Sequence, residues 1–256
     1  MKDGRISSSR ILDLLSSVVR PATGVGFNPD NPHHFWILKN SVFQDWVSSP
    51  SSQLLCVSRK DKLHLDEIAL LAADRLEKSG NFVFYYSCVS ARAQRSEFVS
   101  FAHSLLHEII KVSEGNLKPT LLHTFLQTLR EEHKLTEGVR IKLHEDAEGI
   151  LKELLNAPRH LLMKAVRLTL VEWMNGNHSM VIVIDGLDDV GQENSDFHEE
   201  VLEIVGVRGM GTATVGALFT GRSNVLFRDT EGFKFIDYST TLMGWASSTP
   251  PLNDMN

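Results

Sequence analysis

Four apolar residues, Val181 to Ile184, run straight into Asp185, Gly186, Leu187, Asp188 and Asp189. An apolar run without alternation is what a strand buried on both faces requires. Such strands belong to parallel sheets covered by helices on both sides. Other runs of similar character follow the chain: Leu54 to Ser58 (LLCVS), Phe82 to Ser90 (FVFYYSCVS), Gly216 to Arg222 (GALFTGR) and Phe233 to Ser239 (FKFIDYS). Between them, apolar residues recur at helical spacing from Asp66 to Lys78, Glu97 to Ser113, Leu161 to Met174 and Phe197 to Val205. Strands alternating with helices imply right-handed crossovers, hence an α/β three-layer sandwich around a mostly parallel sheet of about five strands.

The flanks differ in character. Residues 5–20 read as an amphipathic helix with Leu14, Leu15 and Val18 on one face, followed by the Pro/Gly/Asn-rich stretch PATGVGFNPDNPHH. Phe35 to Trp46 gathers Trp36, Phe43 and Trp46 on an expected helix packed against the domain, and residues 117–158 read as more polar helices joined by loops. The closing SSTPPLNDMN has the composition of a disordered tail. The expected organisation is therefore an N-terminal helix and linker over 1–31, one α/β domain over 32–240, and a tail over 241–256.

Charge and cysteine usage narrow the function classes. A net charge of -6 and a pI near 6.0 argue against a general nucleic-acid binder, which carries a basic footprint. No apolar run approaches the ~18 residues of a membrane span, and MKDGRISSSR lacks the apolar core of a secretory signal. Cys56 and Cys88 make neither a disulfide framework nor a zinc spacing. They are expected as buried core thiols on adjacent strands, in an intracellular compartment, cytoplasmic or nuclear.

The acids after Ile184 carry the chemistry. In open parallel sheets ligands sit outside the carboxyl ends of the strands. There Asp185 can hold magnesium, usually through water, and Asp188 or Asp189 can orient an attacking water. A buried strand ending in an acidic turn explains the same letters without any ligand. Arg222, ending the run LFTGR, can sense a γ-phosphate or form a structural ion pair with Asp185 or Asp188. His103 and His107 lie four apart on one helix, but no third metal ligand accompanies them.

In this order the motifs resemble the NACHT domains of fungal NOD-like, STAND-class P-loop NTPases. The aromatic helix with Trp36, Phe43 and Trp46 is similar to the family's W-x(n)-F-x-x-W. LLCVS stands where the family has LLWVS, and VFYYSCVS is similar to its second strand. VIVIDGLDD looks like its Walker B motif, and FTGR like its sensor strand. The resemblance covers roughly residues 33 to 240 and implies a nucleotide site built from the loop after the first strand together with Asp185, Asp188, Asp189 and Arg222.

That loop departs from the pattern. A P-loop, G-x-x-x-x-G-K-[ST], uses glycines to wrap backbone N–H groups around phosphates, Lys to reach the β/γ-phosphates and Ser/Thr to bind magnesium. Here Arg59 takes the first Gly position and Lys60, Asp61, Lys62 and Leu63 fill the loop. His64 replaces the second Gly, Leu65 the Lys, and Asp66 the Ser/Thr. Each lost charge-assisted hydrogen bond costs roughly 1.5–3 kcal/mol, and a side chain at each former Gly about 1–2 kcal/mol. Together they reach on the order of 5 kcal/mol, or ~10³–10⁴ in affinity. Lys60 and Lys62 can restore part of it by contacting phosphate, or can simply be a solvated loop.

The expected function is a catalytically inactive, pseudo-NTPase module serving as a scaffold or protein-interaction subunit, with no cofactor. The competing expectation is a nucleotide-dependent switch that binds Mg-ATP or Mg-GTP weakly and hydrolyses it slowly. Partners are expected to be proteins, not nucleic acid or membrane. Two docking surfaces suggest themselves. One is the sheet edge around Lys60, Lys62, Asp188, Arg222 and Asn224, expected to be open because little chain follows Ser239. The other is the N-terminal helix face of Leu14, Leu15 and Val18.

Overall fold

The computed structural model describes residues 35–48, 54–58, 65–88, 96–112, 157–187, 190, 196–207, 212–221 and 233–237. The elements in chain order are α1 (Phe35–Lys39), α2 (Ser41–Ser48), β1 (Leu54–Ser58), α3 (Leu65–Lys78), β2 (Phe82–Ser87), α4 (Glu97–Val112), α5 (Arg159–Asn175), β3 (Met180–Asp185), α6 (Phe197–Val205), β4 (Val215–Gly221) and β5 (Phe233–Asp237). The expected N-terminal helix with Leu14, Leu15 and Val18, the segment 117–156 and the tail lie outside the described residues.

The five strands form one sheet in the order β2-β3-β4-β1-β5. Every pairing is parallel. This is the α/β architecture around a parallel five-stranded sheet expected from the alternation of strands and helices. Ser58 is in register with Gly221 and with Asp237, and Ser87 with Asp185. The C-terminal ends of all five strands therefore share one edge.

Period-two alternation sorts the strand side chains between two cores. Cys56, Phe84, Ile182, Ile184, Ala217 and Phe219 face α4, α5 and α6. Leu55, Val57, Val183, Leu218 and Ile236 face α1, α2 and α3. On the first face Phe84, Tyr86, Phe101 and Phe197 form a ring cluster, with Tyr86 and Phe101 edge-to-face at 5.3 Å. The Tyr86 hydroxyl donates to Glu97 Oε1 at 2.6 Å. That bond anchors the first turn of α4, where a carboxylate also complements the helix dipole. Arg159 of α5 grips Glu200 of α6, Nη2 to Oε2 at 2.5 Å, and its guanidinium lies over the Phe98 ring.

Local chemistry sets the element ends. The expected helix from Phe35 to Trp46 is broken at Asn40, because its Oδ1 accepts from the Phe43 N–H at 3.2 Å and starts a new helix as an N-cap. Two helices close alike. After α3, Gly80 N–H bonds Glu77 O and Asn81 N–H bonds Leu76 O. After α5, Asn177 N–H bonds Met174 O and His178 N–H bonds Trp173 O. Both are Schellman closures that need a left-handed residue, here Gly80 (φ 84) and Asn177 (φ 62).

One expectation is corrected by the sheet order. Cys56 on β1 and Cys88 just after β2 are both buried and free, but β3 and β4 stand between their strands. The two thiols are not neighbours on adjacent strands, because the chain crosses over rather than pairing its first two strands.

Gly80→Ala isolates a backbone effect, since an added Cβ would meet nothing within 4 Å. It should cost about 1–2 kcal/mol from the left-handed φ alone. Urea denaturation should show that loss with an unchanged slope.

Candidate functional site

The strand-end edge on the α3 side brings together Asp185, Thr220, Tyr85 and the start of α3. Asp185 closes β3 and is 3% exposed. A carboxylate so far from water needs donors, and the neighbouring strands supply them. Thr220 of β4, itself buried, donates its hydroxyl to Asp185 Oδ1 at 2.5 Å. From β2, the Tyr85 hydroxyl faces Asp185 Oδ2 at 3.4 Å, a longer and weaker contact. The Asp185 carbonyl accepts from Cys88 N–H at 2.8 Å. Directly after it, Gly186 adopts φ 73 and its N–H approaches Thr220 Oγ1 at 3.4 Å. A left-handed residue at that position turns the chain off the strand, which explains a Gly following the carboxylate.

Burial pushes the Tyr85 phenol well above its ordinary range, and the negative charges of Asp185 and then Asp66 push it the same way. Tyr85 therefore keeps its proton and stays a donor. Asp66 lies in the first turn of α3.

Leu65 is the first residue of α3 and is 4% exposed. It belongs to the core cluster with Ile37, Ile68 and Ala69. At the head of this helix a P-loop would present its Lys to phosphate. Here an aliphatic side chain turns into the core, and Asp66 and Glu67 follow in the first turn. A helix N-terminus attracts anions, and two carboxylates there already answer that dipole. Asp185 already accepts from Thr220 and Tyr85, and Leu65 is followed in the first turn by Asp66 and Glu67 rather than by a hydroxyl.

Of the residues expected at the site, Asp185, Leu65 and Asp66 are brought to one edge. Arg59, Lys60, Lys62, His64, Asp188, Asp189, Arg222, Asn224, Leu14, Leu15 and Val18 lie outside the described residues. Two residues were missed by sequence reasoning as members of the site. Thr220 was visible only as the polar end of an apolar strand. Tyr85 was one aromatic among several in FVFYYS, and only the register of Ser87 with Asp185 reveals what it faces. Among the described residues, no helix is long and apolar enough to cross a membrane, and no group of three or more His, Cys, Asp or Glu is placed to hold a metal.

With this geometry in place, comparison with known proteins gives one decisive match. The family model described as nephrocystin 3, N-terminal covers residues 34–222. The chain belongs to this family. The nephrocystin 3 N-terminal match takes in the strands from β1 to β4, with the loop after β1 and the acids after β3, and so spans the whole candidate site. No curated protein matches the chain. Among solved structures, the ORC2 protein of Aeropyrum pernix in its ADPNP–ADP complexes matches at 12% identity and a TM-score of 0.37, covering 89% of this chain and 51% of its own. The chain thus spans about half the length of that structure, and so distant a likeness carries no argument about the site.

Thr220→Val keeps the shape of the side chain and removes the donor to a buried carboxylate. It should destabilise this nephrocystin 3 N-terminal domain by about 1–3 kcal/mol, while Thr220→Ser should retain most of the stability. Chemical denaturation of both variants checks the contrast.

Proposed function

We propose that this chain is a P-loop NTPase-like module that neither hydrolyses nor usefully binds nucleotide, and that works as a scaffold or protein-interaction subunit. The observation supporting this is Leu65, buried in the core at the position where the phosphate-binding Lys belongs. A Lys can be replaced functionally by a nearby cation, but a side chain committed to the core cannot be redirected without leaving a cavity. Asp66 beside it adds repulsion where a magnesium-binding hydroxyl is needed. Within the P-loop class, the motif order favours descent from STAND-type NACHT proteins of fungal kind.

A second reading is favoured by one observation: Asp185 persists at the end of a buried strand, where a P-loop switch keeps its magnesium carboxylate. On that reading the chain binds ATP or GTP weakly and turns it over slowly as a signalling switch. Titration calorimetry with Mg-ATP and Mg-GTP separates the two. The scaffold reading expects no hydrolysis and a dissociation constant no tighter than about millimolar, whereas a micromolar constant establishes the switch. Joint replacement Arg59→Gly, His64→Gly, Leu65→Lys and Asp66→Thr should recover part of the binding.

As a scaffold, the chain would engage a protein through the strand-end edge carrying Lys60, Lys62, Asp188, Arg222 and Asn224. Mixed charge there serves specificity and association rate more than raw affinity. Charge reversal at Lys60, Lys62 and Arg222 should weaken partner capture, with circular dichroism unchanged. Unchanged capture, together with its loss on deleting residues 1–20, would instead assign docking to the helix of Leu14, Leu15 and Val18.

A further inference from the structure

We propose that Tyr85 is an internal plug of the former magnesium position, its phenol standing on Asp185 where a metal-bound water would have to stand. The inference deepens the reading above and rests on its placement of Asp185 at that position. Three observations converge on it. Tyr85 sits on the same face of the sheet as Asp185, two residues before Ser87, the residue in register with it. Its hydroxyl approaches Oδ2, the oxygen opposite the one that Thr220 holds at 2.5 Å. Helix α3 packs over the same face, in the core cluster that takes in Ile68, Val183 and Tyr85.

A carboxylate that receives magnesium through water must offer an oxygen to a water hydrogen. The Tyr85 O–H is a donor of the same kind, supplied permanently by the adjacent strand. It reaches the buried carboxylate without a cation. Loss of the P-loop and gain of the plug would then be two separate barriers. Repairing the loop alone would leave the second in place.

The test uses the full chain in two backgrounds, wild type and the loop-restored variant (Arg59→Gly, His64→Gly, Leu65→Lys, Asp66→Thr), each with and without Tyr85→Phe. Phe keeps the ring and removes only the oxygen. Calorimetry with ATP is run in magnesium and again in EDTA, and Mn²⁺ alone is titrated as a spectroscopic probe. In the restored background Tyr85→Phe should tighten Mg-ATP binding about tenfold, the low end for a hydrogen bond to a charged group. The gain should vanish in EDTA. In the wild-type background Tyr85→Phe should strengthen Mn²⁺ binding, and adding Asp185→Asn should erase that gain. A role limited to stability predicts a lower melting temperature with no change in metal affinity. That result, or a gain that persists in EDTA, overturns the plug. If the restored variant fails to fold, the Mn²⁺ comparison in the wild-type background decides alone. Micromolar Mg-ATP binding by the unmodified chain would refute the scaffold reading instead, and the ratio between Tyr85 and Phe would still report on the plug.

Discussion

A carboxylate withdrawn from water at the end of a buried strand has to be met by donors from its neighbours, and Asp185 is met by β4 on one side and β2 on the other. Those contacts tie three adjacent strands together at the edge where ligands of open parallel sheets are received. Removing one partner would leave a charge in a low-dielectric setting, where the penalty is large. The carboxylate is thus part of what holds the sheet together at this edge.

The head of α3 tells a parallel story on the helix side. Leu65 extends the apolar stripe of Ile68, Ala69, Ala72 and Leu76 by one turn, so the helix is seated against the sheet by packing from its first residue. A phosphate-binding Lys at that point would instead hold its side chain out over the loop. Asp66 and Glu67 complement the helix dipole in the first turn, as bound phosphate would otherwise do. Core packing by Leu65 and dipole complementarity by Asp66 and Glu67 agree with one another at this helix start, as local choices in a consistent fold should.

Much of this was legible in the letters. LLCVS and the helix Phe197–Val205 were bounded as they occur, because long apolar runs between polar turns leave few alternatives. The carboxylate was found because a charge following four apolar residues marks a strand end. What the letters did not carry was lateral. The roles of Tyr85 and Thr220 depend on which strands lie side by side, and the order β2-β3-β4-β1-β5 is set by crossovers rather than by any one strand's composition. The misplaced neighbourhood of Cys56 and Cys88 has the same origin. Asn40 failed differently: a side chain that caps one helix and interrupts another is read from a single hydrogen bond, not from periodicity.

The position of β1 in the sheet has a kinetic consequence. It is flanked by β4 and β5, with Leu54 in register with Ala217 and Phe233, so both its partners are made long after it. Closing such loops is entropically slow. LLCVS is therefore the strand whose pairings close the longest loops of the sheet, with the earliest of the described strands held between the two latest.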